Sequence, residues 1–332
     1  MTMSHIPTPD GRVPQTTTIT PDDPFETVCF TGMAPGRKLI IVGAVHGNEV
    51  CGTKAILRVI EDCRAGRIKV RRGKVTFVPI ANLKAYRQNT REGDRNLNRD
   101  FSDKPIPQNY EDKVANVLAP LLREHEVLLD LHSFSSQGEP FIFCGPLDNT
   151  GPVEPFRWAK EEAAFAARLG VDIVMHGWLD NYARLLALRA ENGFRVGHVA
   201  EGVGTTEYMR FSGGYAVTLE CGSHNDPEAV NVAYRAILNA LAHLGLVDAP
   251  EPEISMTRGV EIVQVVLCMN EGDHLAQAWK TGDAVKAGEA IAQRADGEPL
   301  LAPSDGMVVF PNASAKPGDG FYYFAAPSSR VF

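Results

Sequence analysis

The sequence predicts an α/β fold, in which a mainly parallel or mixed sheet is flanked by helices and a small all-β domain follows. Short apolar runs rich in β-branched residues are typical of buried parallel strands, and they cover residues 38–45, 74–81, 127–132 and 215–220. Segments with helical spacing of apolar residues alternate with these runs, at residues 48–65, 110–122, 157–169 and 226–244. This alternation favours parallel strands joined by helices that cover both faces of the sheet.

The predicted helices end at ordinary stop signals. The first carries its apolar residues on one stripe and ends before Gly66, and the last is entered through Asp226-Pro227 and ends at Gly245. The segment over residues 82–109 has weak periodicity and many charges, and a loop of that length is usually functional or disordered. Its position between two predicted strands favours a functional loop.

The sequence pattern changes after the last helix and indicates a second domain. We predict a catalytic domain, a linker and a β-rich C-terminal domain, at residues 1–247, 248–255 and 256–332. Residues 282–289 and 304–308 resemble the hammerhead of biotinyl/lipoyl domains, which have a barrel-sandwich fold. The tip that would present a modified lysine spans residues 295–298 and contains none, so a carrier role is not expected. The C-terminal domain is expected to cover the catalytic domain or to serve in assembly.

Composition excludes several classes of partner. The net charge of −8 does not favour an extended basic surface for nucleic acid. No apolar stretch approaches the roughly 20 residues of a membrane span, and residues 1–24 lack the apolar stretch of a secretory signal. The six cysteines are dispersed without a Cys-x-x-Cys pair, so neither a disulfide framework nor a thiolate zinc site is indicated. We therefore predict a cytoplasmic protein with no nucleic-acid or membrane partner.

Residues that bind or serve metals follow three of the predicted strands. His46 and Glu49 come after the first strand, His132 ends the strand over residues 127–132, and Glu220 ends a later one. In open α/β sheets, ligands sit at the carboxyl ends of the strands, so these side chains are expected to converge. Two His and one Glu with an open fourth position form a zinc site of the catalytic kind, and the second Glu is a spare carboxylate. The pattern predicts a metallohydrolase with one zinc ion per chain.

The sequence also resembles a known family over essentially its whole length. Four motifs occur in the order and context of the succinylglutamate desuccinylase/aspartoacylase family, which is related to the zinc carboxypeptidases: His46-Gly47-Asn48-Glu49, Asn98-Arg99, Asp130-Leu131-His132 and Glu220-Cys221-Gly222. The resemblance implies a zinc-dependent deacylase that cleaves the amide bond of a small N-acyl amino acid.

The resemblance implies roles for the residues of the reaction centre. His46, Glu49 and His132 match the zinc ligands of the family. Glu220 matches the glutamate that deprotonates the attacking water and protonates the leaving amine. Arg91 has the spacing of the arginine that polarises the scissile carbonyl group. Asp130 is a candidate partner for the ring of His132.

The resemblance also implies substrate-binding residues. Asn98 and Arg99 match the pair that holds the α-carboxylate of the substrate, for which a guanidinium fork is well suited. Arg210 lies where aspartoacylases place an arginine that binds a second carboxylate. Tyr322 and Tyr323 resemble the tyrosine that closes over the substrate, although an aromatic residue of a β core is an equal alternative.

Two departures from the family leave the substrate open. Asn96 stands where aspartoacylases have an aspartate, and residues 133–136 differ from well-studied members. The acyl group and the amino acid are therefore not specified by the sequence. A carboxypeptidase acting on small peptides and a catalytically silent ligand-binding protein are the alternatives, and a homo-oligomer is compatible with either.

Overall fold

One sheet of eleven strands extends through both predicted domains. The structure is a computed structural model that describes residues 24–330 and Phe332, so the N-terminal stretch that lacks a predicted secretory signal lies outside the described residues except for Pro24. The strands before the predicted linker are β1 (Val28–Thr31), β2 (Ala34–Gly43), β3 (Arg72–Val78), β4 (Val127–Phe134), β5 (Phe141–Phe143), β6 (Ile173–His176) and β7 (Tyr215–Ser223). Those after it are β8 (Arg258–Leu267), β9 (His274–Leu275), β10 (Ala284–Val285), β11 (Ala290–Gln293), β12 (Pro299–Leu301), β13 (Gly306–Val309) and β14 (Gly320–Pro327).

The helices lie between the strands of the first domain. They are α1 (Cys51–Arg64), α2 (Leu83–Gln88), α3 (Tyr110–Arg123), α4 (Ala159–Ala166), α5 (Trp178–Glu191), α6 (Thr205–Phe211) and α7 (Ala229–His243), with a short 3-10 turn over Val199–Gly202. Among the described residues, no helix is long and apolar enough to cross a membrane.

The sheet is mixed, and its centre is parallel. The strand order is β1-β3-β2-β4-β7-β5-β6-β8-β14-β13-β10. Strands β3, β2, β4 and β7 are parallel neighbours, whereas β1 and β5 run antiparallel to β3 and β7. The C-terminal strands pair antiparallel with one another, and β9, β11 and β12 form a separate small sheet. This architecture confirms the predicted fold class.

Helices cover both faces of the central strands, because successive residues of a strand point to opposite faces. Leu39 and Ile41 of β2 pack in a cluster with residues of α1 and α7. Ile40 and Val42 pack in another cluster with residues of α3. Both faces of these strands are therefore buried, and this burial explains why the strands are continuous apolar runs in the sequence.

The two predicted domains share the sheet. Strand β8 pairs parallel with β6, and a cluster of buried residues joins Ile173 and Met175 of β6 to Val260 and Ile262 of β8. The C-terminal region also has a core of its own, which includes Trp279. The division at residues 247–256 therefore stays a prediction, since the sheet is continuous across it.

Several short elements are not among the predicted ones. Strands β5 and β6 have three and four residues, and α2 has six, which is too short for a clear period. Helices α5 and α6 are also absent from the elements that the sequence predicts. The longer predicted strands and helices are present with shifts of a few residues at their ends, as for α1, which begins at Cys51.

Candidate active site and metal centre

Three buried side chains meet at the carboxyl ends of β2 and β4. The Nδ1 atom of His46 lies 2.8 Å from Oε1 of Glu49, and Nδ1 of His132 lies 2.8 Å from Oε2 of the same carboxylate. Each residue is at most 2% exposed. Their ligand-type atoms lie within 4.8 Å of one another, and within the described chain no other such group of three is present. Two imidazoles and one carboxylate form a donor set suited to zinc.

The turn between β2 and α1 brings His46 and Glu49 together. The backbone N–H of Glu49 donates to the carbonyl of His46 over 3.2 Å. Between them, Gly47 lies against the backbone of α2, where an added Cβ would be 2.0 Å from the carbonyl carbon of Ala85. Only glycine fits this approach, so Gly47 is required by its packing against α2.

The outer nitrogen of each imidazole faces a protein oxygen. His46 Nε2 lies 3.0 Å from Oδ1 of Asn96, and His132 Nε2 lies 3.0 Å from Oδ2 of Asp130, although the latter contact lacks hydrogen-bond alignment. These oxygens favour the tautomer with hydrogen on Nε2, which turns the Nδ1 lone pairs toward Glu49. Lone pairs and a carboxylate that face one another need a cation between them. The residues present therefore fit a divalent metal ion.

The pKa values of the triad follow from burial and from charge. Burial lowers the pKa of His46 to about 4. Burial disfavours the charged form of Glu49, yet the neighbouring imidazoles hold its pKa well below the usual value. Burial also disfavours charged His132, but the carboxylates of Asp130 and Glu49 raise its pKa well above the usual value. The site thus holds an ionised carboxylate and favours positive charge beside it, as a metal site does.

Glu220 lies beside the triad. Its Cα is the register partner of His132 in the pairing of β4 with β7. The side chain lines a cavity with both histidines, and its Oε2 is buried without a hydrogen-bond partner in the described part of the chain. Burial, reinforced by the charge of Glu49, raises the pKa of Glu220 to about 8. A carboxyl group with a pKa near neutrality can accept a proton and return it.

A buried glutamate orders the long segment over residues 82–109. Glu111, in the first turn of α3, is fully buried, and its carboxylate accepts hydrogen bonds from the Nδ2 group of Asn82 and from the backbone N–H groups of residues 93–95. The N–H of Gly47 donates to the carbonyl of Arg91 over 3.4 Å, which places this segment at the metal centre. The prediction that the loop is functional is consistent with this position.

Arg91, Asn98 and Arg99 line the same cavity. Arg91 Nη1 donates to Oε1 of Glu49 over 2.8 Å, and its side chain is 47% exposed. Arg99 stacks over Trp178 at 5.1 Å from the ring centroid, and its Nη1 donates to the carbonyl of Asn98. No carboxylate of the described residues pairs with Arg99. Its guanidinium is therefore available to an anionic ligand.

Arg210 occupies a different environment from the one the resemblance implies. Its guanidinium is buried and donates to three glutamates, with distances of 3.0 Å to Glu162, 2.8 Å to Glu154 and 3.4 Å to Glu207. It also donates to the carbonyl of Ala216 over 2.8 Å. These contacts use all five of its N–H groups. Arg210 has no donor left for a substrate carboxylate, so we do not include it in the substrate site.

Tyr322 and Tyr323 point to opposite faces of β14. Tyr322 is 1% exposed and packs in the core of the C-terminal region, away from the cavity. Tyr323 packs against Trp178 and Phe310, with ring centroids 5.8 and 6.5 Å apart. Tyr323 therefore supports two cavity residues without lining the cavity itself, and Tyr322 is a core aromatic, the alternative left open by the sequence.

Six further residues line the cavity and were not predicted from the sequence: Phe143, Trp178, Thr206, Glu207, Thr218 and Phe310. Thr218 lies two residues before Glu220 on β7, so strand periodicity would have placed it on the same face. Phe310 follows β13 in the C-terminal region and has a φ of 47°, which is uncommon for an aromatic residue. The others lie on β5, α5 and α6, which the sequence analysis does not predict.

The fold and site together are those of an α/β protein with a candidate metal centre at the carboxyl ends of its strands. The family model described as "Succinylglutamate desuccinylase/Aspartoacylase catalytic domain" matches residues 35–244. The chain therefore belongs to the succinylglutamate desuccinylase/aspartoacylase family, and the resemblance found in the sequence is confirmed.

Individual relatives agree with this assignment. The chain is 27% identical over 275 residues to the N-alpha-acetyl-L-2,4-diaminobutyric acid deacetylase of Halomonas elongata, covering 78% of this chain and 70% of that protein. The structure of this chain is similar to that of a succinylglutamate desuccinylase/aspartoacylase from Rhodobacter sphaeroides, with a TM-score of 0.69 and 19% identity. The match covers 92% of this chain and 90% of that one. A product-bound ectoine utilization protein EutE from Ruegeria pomeroyi gives a TM-score of 0.68, 20% identity and coverage of 91% and 88%. At these identities the two structures support the fold alone.

Proposed function

We propose that this protein is a zinc-dependent deacylase that hydrolyses the amide bond of an N-acyl amino acid to a carboxylic acid and a free amino acid. The observation that carries the proposal is the buried Oε2 of Glu220, which has no hydrogen-bond partner among the described residues and lies in the cavity that His46 and His132 also line. Membership of a family of desuccinylases and aspartoacylases supports the reaction class.

The proposed metal ligands are His46, Glu49 and His132. Their donor atoms converge, and the oxygens of Asn96 and Asp130 orient the two rings. When bound, zinc supplies Lewis-acid chemistry that makes water a better nucleophile at neutral pH and polarises a carbonyl oxygen. Three protein ligands leave room for these exogenous oxygens.

Glu220 is the proposed proton carrier. It takes one proton from the attacking water as the new bond to the carbonyl carbon forms. It then gives that proton to the amide nitrogen as the carbon–nitrogen bond breaks, while the second proton of water stays with the product carboxyl group until it ionises. Burial raises the pKa of Glu220 while no metal is bound, and a cation at the triad would favour the carboxylate form that accepts the proton.

Two arginines are proposed to orient the substrate. Arg99 has no ion-pair partner in the described chain and is expected to bind the α-carboxylate, with Asn98 beside it. Arg91 contacts Glu49 at the metal centre and lies at the edge of the cavity, where its half-exposed guanidinium can reach the scissile carbonyl oxygen. Positioning by two fixed cations lowers the entropic barrier of the reaction.

The test is amine release by the zinc-loaded protein from N-acetyl, N-succinyl and N-formyl amino acids. N-acetyl-diaminobutyrate belongs in this panel because the relative from Halomonas elongata is named for it. The Glu220→Gln variant should lose turnover by about 10²- to 10⁴-fold because it cannot carry the proton. Zinc content measured by atomic absorption should be unchanged in this variant, since Glu220 is not a ligand.

Two outcomes would contradict the proposal. Turnover that is unchanged in Glu220→Gln would remove the role of this residue. Turnover of tripeptides that exceeds turnover of every N-acyl amino acid would instead favour a carboxypeptidase.

A further inference from the structure

The proposed substrate cavity has an additional acid in its wall, Glu207 of α6. The side chain is 6% exposed. Its Oε2 accepts from the N–H of Gly204 over 2.8 Å, and its Oε1 lies 3.2 Å from Oγ1 of Thr206 and 3.4 Å from Nη1 of Arg210. A carboxylate has about four acceptor positions, so these three contacts leave capacity for one more donor.

The cavity is a ligand site independently of this acid. Glu220 in the same cavity has a buried oxygen without a partner in the described chain. Arg99, also in the cavity, has no carboxylate partner among the described residues. These two groups and the proposed metal ligands can bind the atoms of a substrate. The carboxyl group of Glu207, in the wall of the same cavity, would therefore contact that substrate.

The surroundings of Glu207 are rich in carboxyl groups. One guanidinium, that of Arg210, stands against three carboxyl groups, those of Glu154, Glu162 and Glu207. Burial raises the pKa of Glu154 to about 8, so this group is mostly neutral at pH 7. Arg210 divides its N–H groups among the three carboxyl groups and contacts Glu207 at the longest of the three distances, 3.4 Å, so the Glu207 carboxyl group is the most weakly paired of them.

Glu207 lies close to the residues proposed to bind the α-carboxylate. Oδ1 of Asn98 accepts from the N–H of Thr205 over 2.9 Å, which joins the Asn98-Arg99 stretch to the first turn of α6. Three aromatic side chains line the cavity between these elements and the sheet, namely Phe143, Trp178 and Phe310. Aromatic faces attract cations, as Arg99 over Trp178 already illustrates.

We propose that this site selects N-acyl amino acids whose side chain is cationic, and that Glu207 binds the side-chain ammonium group while Arg99 binds the α-carboxylate. The inference rests on the proposed deacylase function. N-acyl diamino acids are the substrate class that carries both charges a few bonds apart. Substrates with an anionic side chain, such as that of aspartate or glutamate, would be repelled by Glu207. Arg210 could not bind them, because its N–H groups are already used by protein acceptors.

The experiment compares three N-acetyl amino acids that differ only at the end of the side chain. The zinc-loaded full chain is assayed with N-α-acetyl-2,4-diaminobutyrate, its neutral isostere N-acetyl-norvaline, and N-acetyl-glutamate. We expect kcat/KM to fall in that order, with roughly a 10- to 100-fold preference for the cation over the isostere. Equal kcat/KM for the first two, or preference for glutamate, would overturn the proposal.

The Glu207→Gln variant tests the assigned residue. Glutamine keeps an oxygen that can accept from the N–H of Gly204, so the start of α6 is preserved. The preference for the cation over norvaline should collapse, mainly through KM for the diaminobutyrate substrate. Glu201→Gln is the matched control, because Glu201 caps the preceding 3-10 turn in the same way but is exposed and outside the cavity. This control should keep the wild-type preference, and loss of preference in both variants would contradict the role of Glu207.

A binding measurement separates this inference from the proposed reaction. Isothermal titration calorimetry of the zinc-loaded protein with free diaminobutyrate, norvaline and glutamate should give the same order of affinity. In the Glu207→Gln variant, the affinities for diaminobutyrate and norvaline should become similar. If no N-acyl amino acid is hydrolysed, the deacylase proposal fails, while the order of binding still decides the charge preference. Tighter binding of glutamate than of diaminobutyrate would overturn the preference even in an active deacylase.

Discussion

Two side-chain oxygens outside the triad orient its histidine rings. Asn96 and Asp130 face the Nε2 atoms of His46 and His132, so the Nδ1 atoms are left for a metal. The sequence indicated Asp130 as a partner, because it lies two residues from His132 on one strand. Asn96 appeared only as a departure from the family, and its position beside His46 depends on the path of the long loop.

Replacement of Asn96 tests this arrangement at the level of one residue. Asn96→Leu keeps a similar volume but leaves the Nε2–H of His46 without an acceptor. We expect the affinity for zinc to fall roughly 10- to 100-fold, the usual effect of losing an outer partner of a metal-bound histidine. Competition with a chromogenic chelator measures it, and Asn96→Asp should retain tight binding. Unchanged affinity in Asn96→Leu would show that Asn96 does not orient the ring.

At the level of elements, the turn from β2 into α1 depends on a close approach to α2. A Cβ on Gly47 would lie 2.0 Å from the carbonyl carbon of Ala85, and its neighbours there are backbone atoms that cannot move individually. The sequence pattern placed a strand and a helix on either side of this turn. The pattern does not predict α2, because this helix has only six residues and lies in the charged loop.

Gly47→Ala should therefore disturb both stability and the metal site. We expect a loss of about 1–3 kcal/mol or more in the free energy of unfolding, as for an overpacked core, together with weaker zinc binding. Chemical denaturation with and without zinc measures both effects. Gly320→Ala is the control, since the nearest atom to an added Cβ there is 3.7 Å away, an ordinary contact. Equal behaviour of the two variants would contradict the steric argument.

At the level of the whole molecule, the C-terminal region is part of the same sheet as the candidate metal centre. Strand β8 pairs with β6, and Phe310 contributes to the wall of the cavity. The backbone N–H of Phe310 donates to Oγ1 of Thr281, whose own N–H donates to the carbonyl of Gln137 near the end of β4. The C-terminal region thus contributes part of the cavity wall.

A chain that ends at residue 255 should not fold into an active domain. Truncation would expose the edge of β6 and the apolar side chains of Ile173 and Met175 that pack against β8. We expect this product to aggregate and not to bind zinc stoichiometrically, because the newly exposed strand edge and apolar side chains can associate with other chains. Size-exclusion chromatography and metal analysis against the full chain measure this. A monomeric truncated protein with normal zinc content would instead support two independent domains.

The sequence by itself determined the central strands, the longer helices and the strand-end residues His46, Glu49, His132 and Glu220. Those predictions rest on local signals, since burial of a strand on both faces and the period of a helix are written in consecutive residues. The expected convergence followed from one general rule, that parallel strands present their carboxyl ends at one edge.

Only the tertiary structure decided the charge and shape of the cavity around these residues. Glu111 of the following helix orders the loop, Phe310 comes from the C-terminal region, and Glu162 of α4 meets Arg210 of α6. The sequence does not distinguish a guanidinium that has no carboxylate partner among the described residues, as in Arg99, from one that is saturated by carboxylates, as in Arg210. Which of the two binds substrate depends on neighbours far apart in the chain, and no local pattern records them.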